Sequence, residues 1–401
     1  MKFSDIAGKK GVFIDGDWIE KKDQDVNGRV RLIQLADVGA GFFRDKSDRH
    51  ITEDKANELH CTFLKKGDVL IARLGDPLCK ACIFPRDGLY ITAVDVAILR
   101  IGCDEINSKY LVYLLNSPWF KEQAKKFESG TTRKRISRKN LDQIEMDFPS
   151  LPEQERIVAR IEELFSQLDA GVETLKKTKA QLATYRQAVL KEAFDSIEPC
   201  FYHPLRTVIL GSPQNGIYKP KNDYCDNGTP ILRIDGFYDG FILNDYHYKR
   251  VNLTNEEIER YGLRIGDLIV NRVNSMSHLG KCTLVRSIAE PTVFESNMMR
   301  IKLDTDKVEG NWLTYYLSSQ AGKKELTKNA KQAVNQASIN QTDVGNALVP
   351  IPSIDEQEGL ITIIESRLSV CDSIEQTIND VLQQAEAMRQ SILKDAFEGR
   401  L

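Results

Sequence analysis

Two long segments of the chain carry apolar residues at every seventh position. Helix-breaking residues are almost missing from the first of them, where Gly171 is the one glycine between Pro152 and about residue 196. A seven-residue apolar period kept over several heptads predicts long helices that pack as a coiled coil. In the second segment, Leu360, Ile374, Val381 and Met388 add a second apolar register. The seam positions are Ile161, Leu168, Leu175, Leu182 and Val189 in the first segment and Ile364, Cys371, Ile378, Ala385 and Ile392 in the second.

Both segments open with the same signal. Ser150 begins "SLPEQERIVARIEELF", and Ser353, 203 positions later (353 minus 150), begins "SIDEQEGLITIIESRL". In each, a glutamate three residues after the serine predicts a capping box at the start of a helix. The endings match at the same spacing, "YRQAVLKEAFD" (185–195) against "MRQSILKDAFE" (388–398). The two predicted spacer helices are residues 150–198 and 353–401.

The segments that precede the helices also repeat. The stretch "RVRLIQLADVGAGFF" (29–43) resembles "TPILRIDGFYDGFI" (229–242), and "KKGDVLIARLGD" (65–76) resembles "RIGDLIVNRVNS" (264–275). Within them, "DVLIAR" and "DLIVNR" follow a Gly-Asp turn and are typical of buried strands. The first 28 residues match least. Two mixed, β-rich domains are therefore predicted, residues 1–149 and 199–352.

The helix lengths constrain the architecture. A helix of about 45 residues is about 65 Å long at 1.5 Å per residue. Because the ends of a compact domain lie near each other, the second helix starts where the first one stops, and it must run back for the apolar faces to meet. The predicted fold class is α+β, with two β-rich domains in a pseudo-two-fold arrangement joined by a long antiparallel two-helix coiled coil. The alternative is two amphipathic helices that lie on separate domains.

Composition excludes some classes of protein. The chain has 401 residues, 41% hydrophobic and 28% charged, which is ordinary for a soluble globular protein of two to four structural units. A net charge of −3 gives no general attraction to nucleic acid, so such binding must depend on local patches. No signal peptide or membrane span is predicted, and eight scattered cysteines suit free thiols in a reducing cytoplasm.

Catalytic and metal-binding motifs are missing from the sequence. There is no G-x-x-x-x-G-K-[ST], G-x-G-x-x-G or H-E-x-x-H pattern, and no Asn-Pro-Pro-aromatic motif. The pair Cys79 and Cys82 lacks the second pair that a zinc site needs, which favours two ordinary thiols. The sequence therefore favours a binding protein over an enzyme and predicts no metal site.

The strongest local charge is "GTTRKRISRKNL" (130–141), just before the first long helix. Cations beside hydroxyl groups suit contacts with the phosphates and base edges of DNA, although a solvated loop is the alternative. The equivalent stretch "QAVNQASINQTD" (332–343) carries amides, which read adenine where arginine reads guanine. The candidate DNA-binding residues are Thr131, Thr132, Arg133, Lys134, Arg135, Ser137, Arg138 and Lys139 in the first domain and Asn335, Gln336, Ser338 and Asn340 in the second.

Two other places add candidates. The turn-rich stretch "QNGIYKPKNDY" (214–224) predicts an exposed loop between strands. The residues that directly follow the two predicted buried strands are also candidates. The added candidates are Tyr218, Lys219 and Lys221 on the loop, Arg73 after the first strand, and Arg272 and Asn274 after the second.

The tandem plan resembles the DNA-specificity subunits of type I restriction–modification systems. The stretches that carry the resemblance are "FPSLPEQERIVARIEELFSQLDAGVETL", "VLKEAFDSI", "QNGIYKPKNDYCDNGTPILRI", "IPSIDEQEGLITIIESRL" and "ILKDAFEGRL". A P-x-x-x-E-Q start before a long helix is a fairly specific signature, and here it occurs twice. The resemblance covers nearly all of the chain.

The resemblance implies target recognition domains, one for each half of a split, asymmetric sequence in double-stranded DNA. The helices would be a spacer that docks two methyltransferase (modification) subunits, and an ATP-driven restriction (translocase) subunit would join the complex. The chain would be non-catalytic and cytoplasmic, and S-adenosylmethionine and ATP would be bound by the partner subunits. The rival interpretations are a methyltransferase or nuclease with cryptic motifs and a coiled-coil scaffold that binds no DNA.

Overall fold

The computed structural model describes residues 1–130, 133–238, 240–243, 246–334 and 336–401. The chain divides into two compact units. Unit 1 comprises residues 1–175 and 379–401, and unit 2 comprises residues 176–378. Each unit therefore combines a β-rich region with a part of each long helix.

Unit 1 contains two small sheets and short helices in front of the first long helix. Its strands are β1 (Val12–Ile14), β2 (Val30–Ile33), β3 (His50–Ile51), β4 (Val69–Ala72), β5 (Ala81–Ile83), β6 (Tyr90–Thr92) and β7 (Val96–Arg100). Its helices are α1 (Phe3–Ala7), α2 (Glu53–Glu58), α3 (Ser108–Asn116), α4 (Pro118–Lys125), α5 (Arg138–Leu141), the first part of α6 (Leu151–Asp195) and the last part of α11 (Ile354–Phe397). The sheet orders are β1-β7-β4-β5, which is antiparallel, and β3-β2-β6, in which β2 and β6 are parallel.

The predicted buried strand "DVLIAR" forms β4, and all four of its residues are buried. Successive side chains of a strand point to opposite faces of the sheet. Val69 and Ile71 accordingly join the core that contains residues of α3 and α4, whereas Leu70 and Ala72 join a second core around Phe84. Strand β4 is covered on both faces, which explains why its sequence is a continuous apolar run.

Unit 2 follows the same plan with additional short strands. Its strands are β8 (Tyr202–Pro204), β9 (Gln214–Asn215), β10 (Tyr224–Cys225), β11 (Thr229–Leu232), β12 (Phe237–Tyr238), β13 (Phe241–Ile242), β14 (Lys249–Val251), β15 (Leu268–Asn271), β16 (Val273–Asn274), β17 (Cys282–Leu284), β18 (Val293–Phe294), β19 (Met298–Ile301), β20 (Lys331–Ala333), β21 (Gln336–Ser338) and β22 (Leu348–Pro350). Its helices are α7 (Asn255–Tyr261), α8 (Gly310–Ser318), α9 (Gln320–Thr327), α10 (Gln341–Gly345), the last part of α6 and the first part of α11 (Ile354–Phe397). Strand β15, the counterpart of β4, lies between β17 and β19, and it sends Leu268 and Val270 to one core and Ile269 to another.

The two long helices pack antiparallel in both units. In unit 1, Arg389 in the last part of α11 pairs with Asp169 in the first half of α6, and its guanidinium lies 5.0 Å from the ring centroid of Phe165. In unit 2, Arg186 in the last part of α6 pairs with Asp372 in the first half of α11 at 2.6 Å. Arg186 and Arg389 are equivalent residues of the repeat. The predicted antiparallel coiled coil is confirmed.

Burial along the helices follows one of the two predicted registers. The second register is wrong for three of its residues, because Ile374, Val381 and Met388 are 41%, 39% and 55% exposed. A partner helix covers one stripe of a helix, and the neighbouring stripe stays open. Of the seam residues, Ile161, Val189, Ile364, Cys371, Ile378 and Ala385 are buried, and Leu168, Leu175, Leu182 and Ile392 are half-buried.

A buried glutamine fixes the start of each long helix to its unit. Gln154 is completely buried, accepts a hydrogen bond from the Asn107 N–H at 2.9 Å, and donates to the carbonyls of Glu105 and Pro149, both at 2.9 Å. Gln357 makes the corresponding three bonds in unit 2, at 2.9 to 3.1 Å. A buried amide is costly unless it is hydrogen-bonded, and here the oxygen and both N–H groups of each amide have partners. The Glu-Gln-Glu triplet is shared because its glutamine makes these contacts.

The predicted capping boxes differ between the two copies. Ser353 and Glu356 form the box: the Ser353 N–H donates to the Glu356 carboxylate at 3.0 Å, and the Glu356 N–H donates to Ser353 Oγ at 3.4 Å. In the first copy, the Glu153 carboxylate accepts instead from Arg156, at 2.8 and 2.9 Å.

Neither a membrane span nor a metal site is found in the part of the chain that the structure describes. No helix there is both long and apolar enough to cross a bilayer, and no group of His, Cys, Asp or Glu side chains is placed to hold a metal ion. Cys79 and Cys82 are free and buried, and burial raises the pKa of their thiols to about 11 and about 12. Both thiols are therefore protonated at neutral pH and unreactive.

Candidate nucleic-acid interface

In unit 1 the predicted basic loop is joined to the loop that follows β4. Arg135 forms isolated antiparallel bridges with Leu74 and with Ser129. The Gly75 N–H donates to the Lys134 carbonyl at 3.0 Å. Two segments that are far apart in the sequence thus form one surface, here called recognition surface 1 (residues 73–80, 128–130 and 133–139).

Arg73 supports recognition surface 1 from below. Its side chain is almost completely buried and donates to the carbonyls of Val94 at 2.5 Å and Ile136 at 3.3 Å. The Asp15 carboxylate lies 3.1 Å from the same guanidinium. Burial lowers the pKa of Arg73. These contacts hold three chain segments together, and they leave Arg73 little surface with which to meet DNA.

Most of the predicted basic side chains of recognition surface 1 already have carboxylate partners. Arg133 and Lys139 are exposed and have no ion pair among the described residues. These two cations are therefore available to an external anion, whereas the other three are already paired. The pairs are Lys134 with Asp76 and Glu128 (3.7 Å each), Arg135 with Asp95 (3.1 Å) and Arg138 with Asp15 (3.5 Å).

The hydroxyl candidates of the first domain have different placements. Ser137 is the N-cap of α5, because its Oγ accepts the Asn140 N–H at 3.1 Å. Thr131 and Thr132 lie outside the described residues. Ser137 therefore shapes the end of the loop through the helix that it caps.

Unit 2 builds a second surface in the same way, here called recognition surface 2 (residues 272–281, 331–334 and 336–340). Strand β16 pairs with β21, which also pairs with β20. The Ile339 N–H donates to the Arg272 carbonyl at 3.0 Å, as the Ile136 N–H donates to the Arg73 carbonyl at 3.0 Å. Arg272 donates in turn to the Ser296 carbonyl at 3.1 Å. Arg272 is thus the structural counterpart of Arg73.

The predicted amides of recognition surface 2 are partly used by the fold. Asn340 caps α10, because its Oδ1 accepts the Asp343 N–H at 2.9 Å. Asn274 Oδ1 accepts the Ser275 N–H at 2.8 Å. Gln336 is exposed on β21. Among these three, Gln336 is the amide best placed for a base edge.

Three polar side chains that the sequence patterns did not single out join recognition surface 2. His278 Nδ1 lies 3.0 Å from Ser275 Oγ and 2.9 Å from Ser277 Oγ. Their position directly after Asn274 was the one available signal. Hydroxyl and imidazole groups can donate and accept hydrogen bonds, which suits base edges. Ser338 is half-buried nearby on β21, and Asn335 lies outside the described residues.

The remaining candidates of unit 2 lie on a loop after β9. Tyr218 is 76% exposed, and Lys221 is exposed as well. Lys219 is largely buried and pairs with Glu257 at 2.8 Å. Lys219 therefore fixes the loop, while Tyr218 and Lys221 face solvent.

Comparison with known proteins identifies the family to which the chain belongs. The chain matches the type I restriction modification DNA specificity domain over residues 2–183 and 210–384, one match in each half of the repeat. The chain belongs to this family. The two matches together cover most of the chain.

The sequence of this chain is about one quarter identical to those of specificity subunits from two bacteria. The StySPI specificity subunit of Salmonella potsdam is 26% identical over 309 residues, and the EcoKI specificity subunit of Escherichia coli K12 is 25% identical over 310 residues. Both alignments cover 74% of this chain and 66% of the relative, so the chain spans just under two thirds of the length of these relatives. A chain solved in a study of complex assembly and conformational transition of the type I R-M system has the same fold, with a TM-score of 0.69 at 17% identity. That match covers 100% of this chain and 97% of the solved one.

Proposed function

We propose that the chain is the sequence-recognition subunit of a type I restriction–modification complex, and that each unit reads one half of a bipartite target in double-stranded DNA. The observation that carries the proposal is the pair of recognition surfaces. Each is formed by two bridged loops above a buried isoleucine, and in each an arginine that donates to backbone carbonyls supports the loops, Arg73 being buried and Arg272 half-buried. Membership of the specificity-domain family supports it.

The two surfaces suit different bases. Arginine side chains, as on recognition surface 1, pair with the O6 and N7 of guanine, and lysines contact phosphates. Glutamine, as on recognition surface 2, pairs with the N6 and N7 of adenine. Because the exposed chemistry differs, the two half-sites should differ, and the target should be asymmetric.

An apolar stripe on α11 supports a docking role for the coiled coil. Ile363, Val370 and Ile374 in unit 2 are 51%, 59% and 41% exposed, and spacings of seven and four residues place them on one helix face. We assign this face to a methyltransferase subunit. Val370→Asp should abolish co-purification with that subunit, while Ser369→Asp, about 100° round the helix, should not. Equal binding by both variants would reject the assignment.

The other partners follow from the proposed complex. S-adenosylmethionine would be bound by the methyltransferase subunits and ATP by a restriction (translocase) subunit. The chain itself would supply recognition and spacing without catalysis. Its eight free cysteines suit the reducing cytoplasm in which such a complex would meet DNA.

Selection from a pool of random DNA duplexes tests the proposal. The full chain is incubated with the pool, and the bound duplexes are sequenced after washing at increasing salt concentration. Two short, unlike motifs separated by a fixed gap are expected. Enrichment of one continuous motif, or of none, would contradict recognition by two units.

A further inference from the structure

Two exposed aromatic side chains occupy equivalent places in the two units. Trp18 is 69% exposed and Tyr218 is 76% exposed. Each lies two residues after a glycine and three residues before an exposed lysine, Lys21 or Lys221. We call residues 16–23 arm 1 and residues 216–223 arm 2. Sequence similarity between the arms is too low to reveal this equivalence.

Arm 1 is rigidly held against the sheet of unit 1. A Cβ atom on Gly16 would lie 2.2 Å from the Ala93 carbonyl oxygen, so the backbone is packed too closely for any other residue. Asp17 forms a parallel bridge with Ala93, and a 3₁₀ helix follows at Lys21–Asp23. Trp18 is therefore displayed by a fixed backbone.

Arm 2 has the same construction. A Cβ atom on Gly216 would lie 2.2 Å from the Glu295 carbonyl oxygen, and Ile217 forms a parallel bridge with Glu295. A 3₁₀ helix follows at Lys221–Asp223. The fold thus presents Tyr218 by the same means as Trp18, although the residues around them differ.

Arm 1 and recognition surface 1 are attached to the same turn. The Gly16 N–H donates to the Val96 carbonyl at 3.0 Å, and the Arg73 N–H donates to the carbonyl of the preceding residue, Asp95, at 2.8 Å. The Asp15 carboxylate, just before the arm, pairs with Arg138 of the recognition surface at 3.5 Å. The backbone that carries the exposed ring therefore leaves the same turn that anchors the surface with the cations.

Arm 2 is attached to recognition surface 2 in the same way. The Gly216 N–H donates to the Met298 carbonyl at 3.1 Å, and the Arg272 N–H donates to the Asn297 carbonyl at 2.8 Å. An arrangement that occurs twice, with different neighbouring residues, indicates a shared use of the ring.

The chemistry of the arms fits duplex DNA. Exposed tryptophan and tyrosine offer a flat apolar face and a polar edge, and such rings can pack on the sugars and base edges at a duplex surface. Lys21 and Lys221 supply positive charge for the phosphate backbone next to each ring. We propose that Trp18 and Tyr218 lie against sugars and base edges, each in the half-site that its own unit reads. This inference rests on the proposed function and adds a non-ionic contact to it.

Selection and affinity measurements with the full chain test the inference. Trp18→Ala should lower the affinity for the selected duplex about tenfold and weaken sequence preference in one half-site. The slope of log affinity against log salt should stay unchanged, because the protein still neutralises the same number of phosphates. Trp18→Phe should retain most of the affinity. Tyr218→Ala should have the same effect on the other half-site.

The unaffected half-site reports that each variant is folded. Val26→Ala, which removes another exposed apolar side chain of unit 1, is the matched control and should change nothing. If the wild-type chain selects a bipartite motif and Trp18→Ala changes neither the half-sites nor the affinity, the inference is overturned and the proposed function stands. Failure of the wild-type chain to select any motif would instead overturn the proposed function, and the inference with it.

Discussion

Recognition surface 1 presents mainly cations, whereas recognition surface 2 presents amides, hydroxyls and an imidazole beside one exposed lysine, Lys331. Both surfaces nevertheless have the same construction. Arg73 and Arg272 hold the loops through backbone carbonyls, and Ile136 and Ile339 are buried beneath them. The scaffold and the exposed chemistry are therefore separable: buried residues keep the loops together, and exposed ones can change without disturbing the fold.

The neighbours of the two surfaces differ in charge as well. The backbone carbonyls of Asp95 and Asn297 accept equivalent hydrogen bonds in the two units, from the N–H groups of Arg73 and Arg272. The Asp95 carboxylate also pairs with Arg135, but the amide of Asn297 has no charge to offer. A surface rich in cations thus comes with anions that hold them, which limits its attraction to arbitrary DNA.

The largest effect should come from breaking the shared scaffold. Ile136→Ala and Ile339→Ala each remove a buried side chain and should cost about 2–5 kcal/mol of unfolding free energy. Hydrogen exchange of individual peptides during urea unfolding would report each unit separately. Val26→Ala in unit 1 and Ile265→Ala in unit 2, both strongly exposed, are the matched controls. A large cost at one isoleucine and none at the other would show that the scaffolds differ.

The contrast in exposed chemistry should appear in the salt dependence of DNA binding. Replacing both Arg133 and Lys139 with alanine should reduce the slope of log affinity against log salt by about 0.9 for each phosphate that the protein no longer neutralises. Gln336→Ala should lower affinity about tenfold and relax one half-site, and the slope should remain as it is. Titrations at several salt concentrations would measure both. If Gln336→Ala changed the slope and the double variant did not, the assignment of the two surfaces would be reversed.

The stability of unit 1 should depend on pH in a way that the stability of unit 2 does not, although the effect should be smaller. Burial raises the pKa of Asp17 in arm 1 from 3.8 to about 6, whereas the equivalent residue of arm 2 is Ile217. A carboxyl with a raised pKa holds its proton more tightly when folded, so unit 1 should lose stability as the pH rises from about 4 to above 6. The loss should be on the order of 1 kcal/mol, since Asp17 is partly exposed. Asp17→Asn should remove this pH dependence in unit 1, as measured by hydrogen exchange; persistence of the same dependence would contradict it.

The smallest effect should come from the carboxylate beside Arg135. Asp95→Asn removes an ion pair at a partly exposed site, worth about 0.2–1 kcal/mol, and should raise affinity for non-target DNA about two- to fivefold. The reciprocal change in unit 2, Asn297→Asp, should lower it. Binding to a duplex that lacks both half-sites would measure the two variants. Weaker non-target binding by Asp95→Asn would mean that the carboxylate positions Arg135 for DNA instead of restraining it.

The tandem repeat, the long helices and their antiparallel packing could be predicted because each depends on local pattern. Seven-residue periodicity sets the face of a helix that is buried, and helix length with connectivity sets its direction. The basic loop and its amide-rich counterpart were also visible, since charge and amide content are properties of a short stretch. The buried hydrogen bonds of Gln154 and Gln357 could not be predicted, although the repeated Glu-Gln-Glu triplet that contains them was visible in the sequence.

What the tertiary structure alone decided is which of these residues are exposed. Arg73 and Lys219 are residue types that commonly contact DNA, but the fold holds both through internal contacts. Trp18 lies in the first 28 residues, the part of the repeat that matches least, and it faces solvent. Ile374 and Met388 have the spacing of a buried register and are open. Burial is set by residues distant in the chain, whose approach no local pattern encodes. The sequence therefore determined the elements and their repetition, and the packing between them determined which side chains are left for a partner.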